Sequence, residues 1–437
     1  MAGGIFTAYN KIRPGAYINV KSDGKLKADI SNRGIVAIPM TLSFGAEKTM
    51  ISVDENSDFI KLFGFSIEDK ELLLINQALK HAQKAWVYRL NGGETAVAKL
   101  GNLVATSKYS GVAANKIAVK IDKQAQGKNF TITTLFDGKV VATCECETAQ
   151  QAQDNEYVEF SGEGELMSNA GMFLQGGNDA QATVQDYMDF FDQAALYDFN
   201  AMCIASGDDV VKSAAVEFIK DIRENEGKKC QVVVANYPQA DHEGVISVKN
   251  GVVLSDGTKL DSVYATAFVA GATAGAQVNE SLTYFKYDDA VDAFPRYTNS
   301  EIIETLKSGE IVFVYNGGDV IIEQDINTLT TFDSKKSQTF SKNRVVRTLD
   351  AIATDIKSIF IKSYLGKVDN SADGRGLFKA TLIDYANSLQ QIGAIEAFDS
   401  QDDIEVKQGQ NNDELVVTLM VKPVDSMEKL YMTVVVG

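Results

Sequence analysis

The side chains that most often carry catalysis or hold metal are few in this sequence and poorly spaced for either. There are two histidines, His81 within an apolar-periodic stretch and His242 in a polar loop. Neither stands at a spacing that joins it to a serine or cysteine nucleophile, so relay chemistry has no support. Cys144 and Cys146 lie two apart and share one face of a predicted strand, but no second pair completes a zinc set. Cys203 and Cys230 sit in apolar runs and read as small core residues. Phe44–Thr49, FGAEKT, lacks the GxxxxGKS/T of a phosphate loop and reads as a turn, and there is no GxGxxG. Two stretches open like calcium loops. Asp54-x-Asn56-x-Asp58 continues with Phe59 where glycine is needed and Phe65 where the bidentate glutamate belongs; Asp369-x-Ser371-x-Asp373-Gly374 ends at Ala380 instead of glutamate. Asp402-Asp403 lies in a charged loop with nothing to suggest a substrate between carboxylates. No cofactor and no metal are expected, and the chain does not read as an enzyme.

What the elements could do without such chemistry is assemble. The last stretch, Asp413–Gly437, holds two runs rich in β-formers, Leu415–Val421 and Leu430–Val436, around a polar turn at Pro423–Lys429. Leu415, Val417, Leu419 and Val421 share one face, with Val416 and Met420 apolar on the other; Leu430, Met432, Val434 and Val436 oppose Tyr431, Thr433 and Val435. A strand apolar on both faces needs cover on both sides. One without proline or charge is also a template for pairing with another chain. Two readings follow: a central strand of the protein's own sheet, or a strand shared with a neighbouring subunit.

Upstream, residues Met1–Val20 look like an arm, with Arg13-Pro14-Gly15 turning the chain into a short strand, Ala16–Val20. Helical spacing is predicted over Asp69–Gln83, Val184–Leu196, Val210–Glu224, Asn343–Tyr364 and Arg375–Ile392. Gly271 and Gly275, four apart in the small-residue helix Ser262–Gln277, permit close helix packing. Between Asn91 and Asp179 short alternating runs separated by turns, with Asp137-Gly138 as a hairpin signal, predict an all-β insertion with its own small core. Gln231–Ala235 is a continuous apolar strand of the kind found in buried parallel sheets.

At 437 residues the chain is long enough for two to four domains. Its net charge of -17 argues against nucleic-acid partners, which demand a basic surface, and against anionic membranes. Four cysteines make no disulfide framework, which suggests a reducing compartment. The N-terminus shows no signal-peptide pattern, and Val263–Ala276 is too short to span a bilayer.

Several short motifs occur in order along the chain. They are Pro14-Gly15-Ala16-Tyr17, Tyr109-Ser110-Gly111, Asn115-Lys116-Ile117, Val269-Ala270-Gly271, Asn279-Glu280-Ser281, Ile326-Asn327-Thr328-Leu329, Asn343-Arg344-Val345-Val346-Arg347, and the closing Lys422-Pro423-Val424-Asp425-Ser426-Met427-Glu428-Lys429-Leu430-Tyr431. Together they resemble the tail sheath proteins of contractile-tailed bacteriophages, of the type carried by Gram-positive myophages, prophage-derived particles and phage-tail-like bacteriocins.

The resemblance implies an α/β multidomain fold: a tail-sheath-like inner α+β domain with exchanged terminal strands, a central α/β domain and an all-β insertion. On this chain that gives an N-terminal linking arm over 1–25, a discontinuous central domain over 26–90 with 180–326, a β-rich outer insertion over 91–179, and an inner, tube-proximal domain over 327–437. It implies helical self-assembly in stacked rings of six around a tail tube protein, with baseplate and tail-terminator partners and no nucleic acid. The particle is a virion tail or tail-like structure, assembled in the bacterial cytoplasm, with no membrane insertion of this subunit. The linking residues it implies are Pro14, Gly15, Tyr17, Ile18 and Val20 in the first arm, and Leu415, Val417, Leu419, Leu430, Tyr431, Met432, Val434 and Val436 in the last.

With Val345, Leu349, Ile352, Ile356 and Ile359 turned inward, Arg344, Arg347, Lys357 and Lys362 are expected on the exposed side of their helix, with Arg375 and Lys379 opening the next. These six are the candidates to face an acidic tube. The family's mechanism is contraction between two packings of one polymer, driving the tube through a cell envelope without nucleotide. A static self-assembling protein, or an enzyme with an unrecognised site in Gln181–Glu323, are the alternatives.

Overall fold

Runs of β-branched residues covered on both sides build a seven-stranded sheet, the frame of the larger part of the molecule. The computed structural model describes residues 2–4, 15–17, 33–125 and 128–436, the first two stretches by backbone alone. The order across the sheet is Glu310–Ile311, Val245–Val248, Gln231–Ala235, Ala201–Cys203, Ile35–Met40, Lys84–Arg89 and Met50–Val53. All neighbours pair in parallel except the last strand, Met50–Val53, which is antiparallel. On one face lies the helix Ser262–Gly275, nearly all buried. Its Gly271 and Gly275 sit so close to the carbonyl oxygens of Ala78 and His81 that an added Cβ would come within 2.2 and 2.0 Å of them. No larger residue fits there. The other face is covered by Val184–Ala194 and Asp209–Glu224, whose Phe190, Phe191, Val211, Ile219 and Ile222 are buried. Cover on both faces explains why Gln231–Ala235 has no polar alternation.

Residues 93–179 fold into two four-stranded antiparallel sheets. One runs in the order Lys139–Cys146, Phe130–Phe136, Ile117–Lys123, Asn169–Phe173; the other Val158–Gly162, Leu103–Ser110, Gly93–Leu100, Asn178–Asp179. Asp137 and Gly138 both take positive φ at the hairpin turn, the left-handed pair that a tight two-residue connection demands. The core between these sheets is not their own. It is continuous with that of the central sheet: the Phe44 ring stands 5.3 Å from Tyr109, 5.4 Å from Phe136 and 6.0 Å from Tyr157. Arg89, on a central strand and 1% exposed, donates to the carbonyls of Gly45 and Ser110 at 2.8 and 3.1 Å.

Contacts divide the chain into two compact units. The larger holds the elements above, residues through Thr354, and the stretch from Pro423 on. Asn343–Thr354, the first turns of the helix Asn343–Ile359, therefore count with it. The smaller unit holds Asp355–Gln391 and Ala397–Lys422 together with the parallel pair Ala2–Gly4 and Gly15–Tyr17. A π-helical turn at Phe360–Tyr364, the helix Ala372–Gln391 and a hairpin of Ile404–Gln408 with Leu415–Leu419 enclose a small core of Tyr364, Phe378, Leu382 and Ile404.

Candidate functional site

The hairpin of the smaller unit shows why its residues point where they do. Ile404 opposes Leu419, Val406 opposes Val417 and Gln408 opposes Leu415. Leu415, Val417 and Leu419 are half-buried against Tyr364 and Phe378, so their side chains serve the unit's own core. Val416 and Met420, on the opposite face, are exposed. Among the described residues each of the two strands has a single neighbour, which leaves the outer backbone edges of both open.

Beyond it, the run Leu430–Val436 is not the strand its composition predicts. Among the described residues it pairs with nothing, and its apolar side chains stand in solvent: Leu430 84%, Tyr431 90%, Met432 73%, Val434 73%, Val435 85% and Val436 91% exposed. A strand needs a neighbouring edge, and among the described residues Leu430–Val436 is paired with none. Of the first arm's candidates, Gly15 and Tyr17 lie in a short parallel pair, Ala2 opposite Gly15 and Gly4 opposite Tyr17. Pro14, Ile18 and Val20 lie outside the described residues.

The basic side chains do not form the single exposed face that was expected. Arg347 is 1% exposed, and its Nη2 donates to Asp325 Oδ2 at 2.5 Å and to the Glu280 carbonyl at 3.0 Å. The helix is buried all round over its first turns, so the position opposite the apolar stripe meets protein rather than water. Asp350, one turn further on, takes a bidentate pair from Arg223 at 2.7 and 2.9 Å. Asn343, fully buried, bonds Asp325 and Gln231. Arg344 is half-buried with Nη2 at 3.4 Å from the Gly393 carbonyl. Arg375, also half-buried, donates to the backbone and side-chain oxygens of Asn370 at 2.8 and 3.2 Å. Lys379 is half-buried, while Lys357 and Lys362 are exposed.

The histidines, Cys203 and the acidic turns have structural work. His242 accepts from the Gly244 N–H through Nδ1 at 2.9 Å, and burial pushes its pKa down. His81 stands edge-on to Phe268 and Phe285, again held low by burial. The buried Cys203 thiol is pushed up to about 12 by desolvation. Asp54 closes a local turn onto Asn56 and Ser57, and Asp58 caps the helix Phe59–Phe63. Lys48 of the FGAEKT turn pairs with Asp186. Among the described residues no group of three acidic, cysteine or histidine side chains could hold a metal, and no helix is long and apolar enough to cross a membrane.

Four family models cover the chain almost end to end. They are the Gp18 domain III N-terminal region of tail sheath protein over 33–90, the phage tail sheath beta-sandwich domain over 91–181, the phage tail sheath central domain over 180–328 and the phage tail sheath C-terminal domain over 335–437. The chain is 38% identical to the phage-like element PBSX protein XkdK of Bacillus subtilis, over all of both chains. It is similar to the crystal structure of a sheath tail protein from Desulfitobacterium hafniense, at 45% identity and a TM-score of 0.87, covering 96% of this chain and 99% of that one. The helical sheath of the anti-feeding prophage in its contracted state shares the fold at 12% identity and a TM-score of 0.59, covering 97% and 99%.

Proposed function

The chain belongs to the phage tail sheath protein family, and from that premise we propose that its subunits polymerise helically around a tail tube by exchanging terminal strands. The observation that carries this is the unpaired run Leu430–Val436, six large apolar side chains exposed beyond a folded unit. A soluble protein does not keep such a segment in water without use for it. The hairpin Ile404–Gln408 with Leu415–Leu419, open on both edges, is the complementary acceptor on another copy. Main-chain hydrogen bonds along that edge supply the join, and burying each arm side chain adds roughly 1.5–3 kcal/mol.

In this reading 1–25 is the second linking arm, 26–90 with 180–326 the central domain, 91–179 the outward insertion and 327–437 the inner domain. Rings of six stack along the tube between baseplate and terminator in a tail assembled in the bacterial cytoplasm. Contraction is a change between two packings of the same linked subunits. Its driving force is their difference in free energy, and no nucleotide takes part. Lys357 and Lys362 are the exposed cations retained as contacts to an acidic tube; Arg347 is withdrawn from that role by its burial.

Removing Leu430–Gly437 tests the proposal. The truncated chain is expected to stay folded and soluble and to form no sheath by electron microscopy. Long sheaths from the truncated chain, or outright unfolding, would overturn it. Assembled sheath is expected to contract on warming or in mild denaturant with no ATP or GTP present, and a nucleotide requirement would reject the mechanism.

A further inference from the structure

The closing motif Asp425-Ser426-Met427-Glu428-Lys429 has no role in the strand exchange itself, yet its Glu428 ties the root of the arm to the body of the subunit. Met427 and Leu430 on either side are exposed, while the Glu428 side chain is 12% exposed. Its Oε2 accepts from the Lys342 ammonium and from Gln324 Nε2, and its Oε1 accepts from Thr283 Oγ1 at 2.9 Å. Thr283 Oγ1 in turn accepts from the Asp325 N–H at 3.0 Å. The Asp325 carboxylate holds the Leu282 N–H, Asn343 and Arg347. One connected set of polar groups thus runs from the arm's root to the first turns of the helix Asn343–Ile359, and it ends where side chains are fully buried.

We infer that Glu428 is a positioning residue for assembly: its clamp on Lys342, Gln324 and Thr283 fixes where the terminal arm leaves the subunit, and transmits a pull on that arm to the Asn343–Ile359 helix. The inference rests on the strand-exchange reading. Without the clamp the arm's six apolar residues swing on a chain that the Val424 N–H to Ala394 carbonyl bond at 3.0 Å still holds upstream. An arm of undefined direction loses the benefit of preorganisation and must be ordered at each joining step. Charge-assisted hydrogen bonds at a half-buried site are the strong kind, so the clamp holds under load.

The test uses the purified full chain and variants Glu428→Ala, Glu428→Gln and the exchanged pair Glu428→Lys with Lys342→Glu, beside the Leu430–Gly437 deletion. Glu428→Ala is expected to keep the wild-type circular dichroism, to speed amide exchange over residues 424–429 alone, and to need about tenfold more subunit to form sheath. Glu428→Gln, which keeps shape and neutral partners but not the charge opposite Lys342, falls between; the exchanged pair recovers most of the loss. If the deletion abolishes sheath while Glu428→Ala and Glu428→Gln assemble like wild type, the clamp inference fails and strand exchange stands. If the deletion itself assembles, the underlying reading fails. Should Glu428→Ala not fold, Glu428→Gln decides, and unfolding of both would make Glu428 part of the fold and overturn the inference.

Discussion

Val232-Val233-Val234 and Val434-Val435-Val436 are the same tripeptide with opposite surroundings. The first is fully buried in the middle of the seven-stranded sheet, between Ala201–Cys203 and Val245–Val248, with helices on both faces. The second is at least 73% exposed at every residue and pairs with nothing among the described residues. Propensity is identical, so propensity decides neither outcome. What differs is the surroundings: the first run lies between two neighbouring strands and two covering layers, and among the described residues the second is paired with no strand. A strand is a relation between segments, and where one chain does not contain both, the same sequence becomes an offer to another chain.

The largest effect expected from this contrast comes from placing a charge in each tripeptide. Val233→Asp buries an uncompensated carboxylate in a dry sheet and is expected to cost about 4 kcal/mol or more, enough to leave the subunit unfolded or aggregated. Val435→Asp is expected to change subunit stability by no more than about 0.5 kcal/mol while abolishing assembly. Urea unfolding of both variants and electron microscopy of the second measure the two sides. Equal destabilisation by the two substitutions would break the comparison.

Next in size is the buried cation of the helix Asn343–Ile359. Arg347→Glu removes the partner of Asp325 and sets two carboxylates together at a site 1% exposed, so a loss of about 3 kcal/mol in subunit stability is expected. Lys362→Glu on the exposed part of the same chain stretch should leave the unfolding midpoint where it was. A folded Arg347→Glu subunit with wild-type stability would show that the pair is not closed in solution.

The Glu428 clamp should respond to acid. Burial raises the pKa of this carboxyl, but hydrogen bonds from Lys342, Gln324 and Thr283, with the Lys342 charge, outweigh it and leave it below the ordinary value of 4.5. A depressed carboxylate stabilises above the unfolded value and loses that contribution as pH falls through the folded one. Glu323, Asp425, Lys307 and Lys429 line the same cleft; burial raises the Glu323 carboxyl, so it takes up its proton first. Amide exchange over 424–429 is therefore expected to be flat from pH 7 to 5, after correction for the intrinsic rate, and to rise below 4.5. Opening already at neutral pH would remove the clamp from the account.

Much of this was open to reading in the sequence, and the failures have physical causes. Apolar periodicity located Asp209–Glu224 and Ala372–Gln391 within a few residues, because a one-sided stripe is a local property. The helix Asn299–Lys307 is too short for its apolar periodicity to stand out, although Thr298 and Glu301 form a capping box, a signature plain in the residues themselves. Arg347 is different. Its burial depends on Asp325, on a segment 22 residues away, and nothing local to the helix distinguishes it from a solvated arginine. The shared core of Phe44, Tyr109, Phe136 and Tyr157 was hidden for the same reason. Of the proposed assembly site, the two-faced apolar run was legible; that the hairpin strand Leu415–Leu419 spends one face on its own core required the fold.

The smallest effect concerns the cations that remain exposed. Lys357 and Lys362 lie on consecutive turns of the α-helix and the π-turn that follows it, in a chain of net charge -17. Exposed ion pairs contribute at most about 1 kcal/mol each and are screened by salt, so two of them per subunit are individually negligible for the fold. Repeated over every subunit of a sheath they would form a grip that is weak per contact and large in sum, which is what the proposed cooperative release from a tube requires. Lys357→Glu with Lys362→Glu is therefore expected to leave subunit stability and sheath formation unchanged, but to shift particles from extended sheath on a tube toward contracted or empty sheath. Raising salt should move the wild type in the same direction and the variant hardly at all. Extended tails in normal proportion from the double variant, with an unchanged salt response, would take the tube contact away from these lysines and leave the strand exchange untouched.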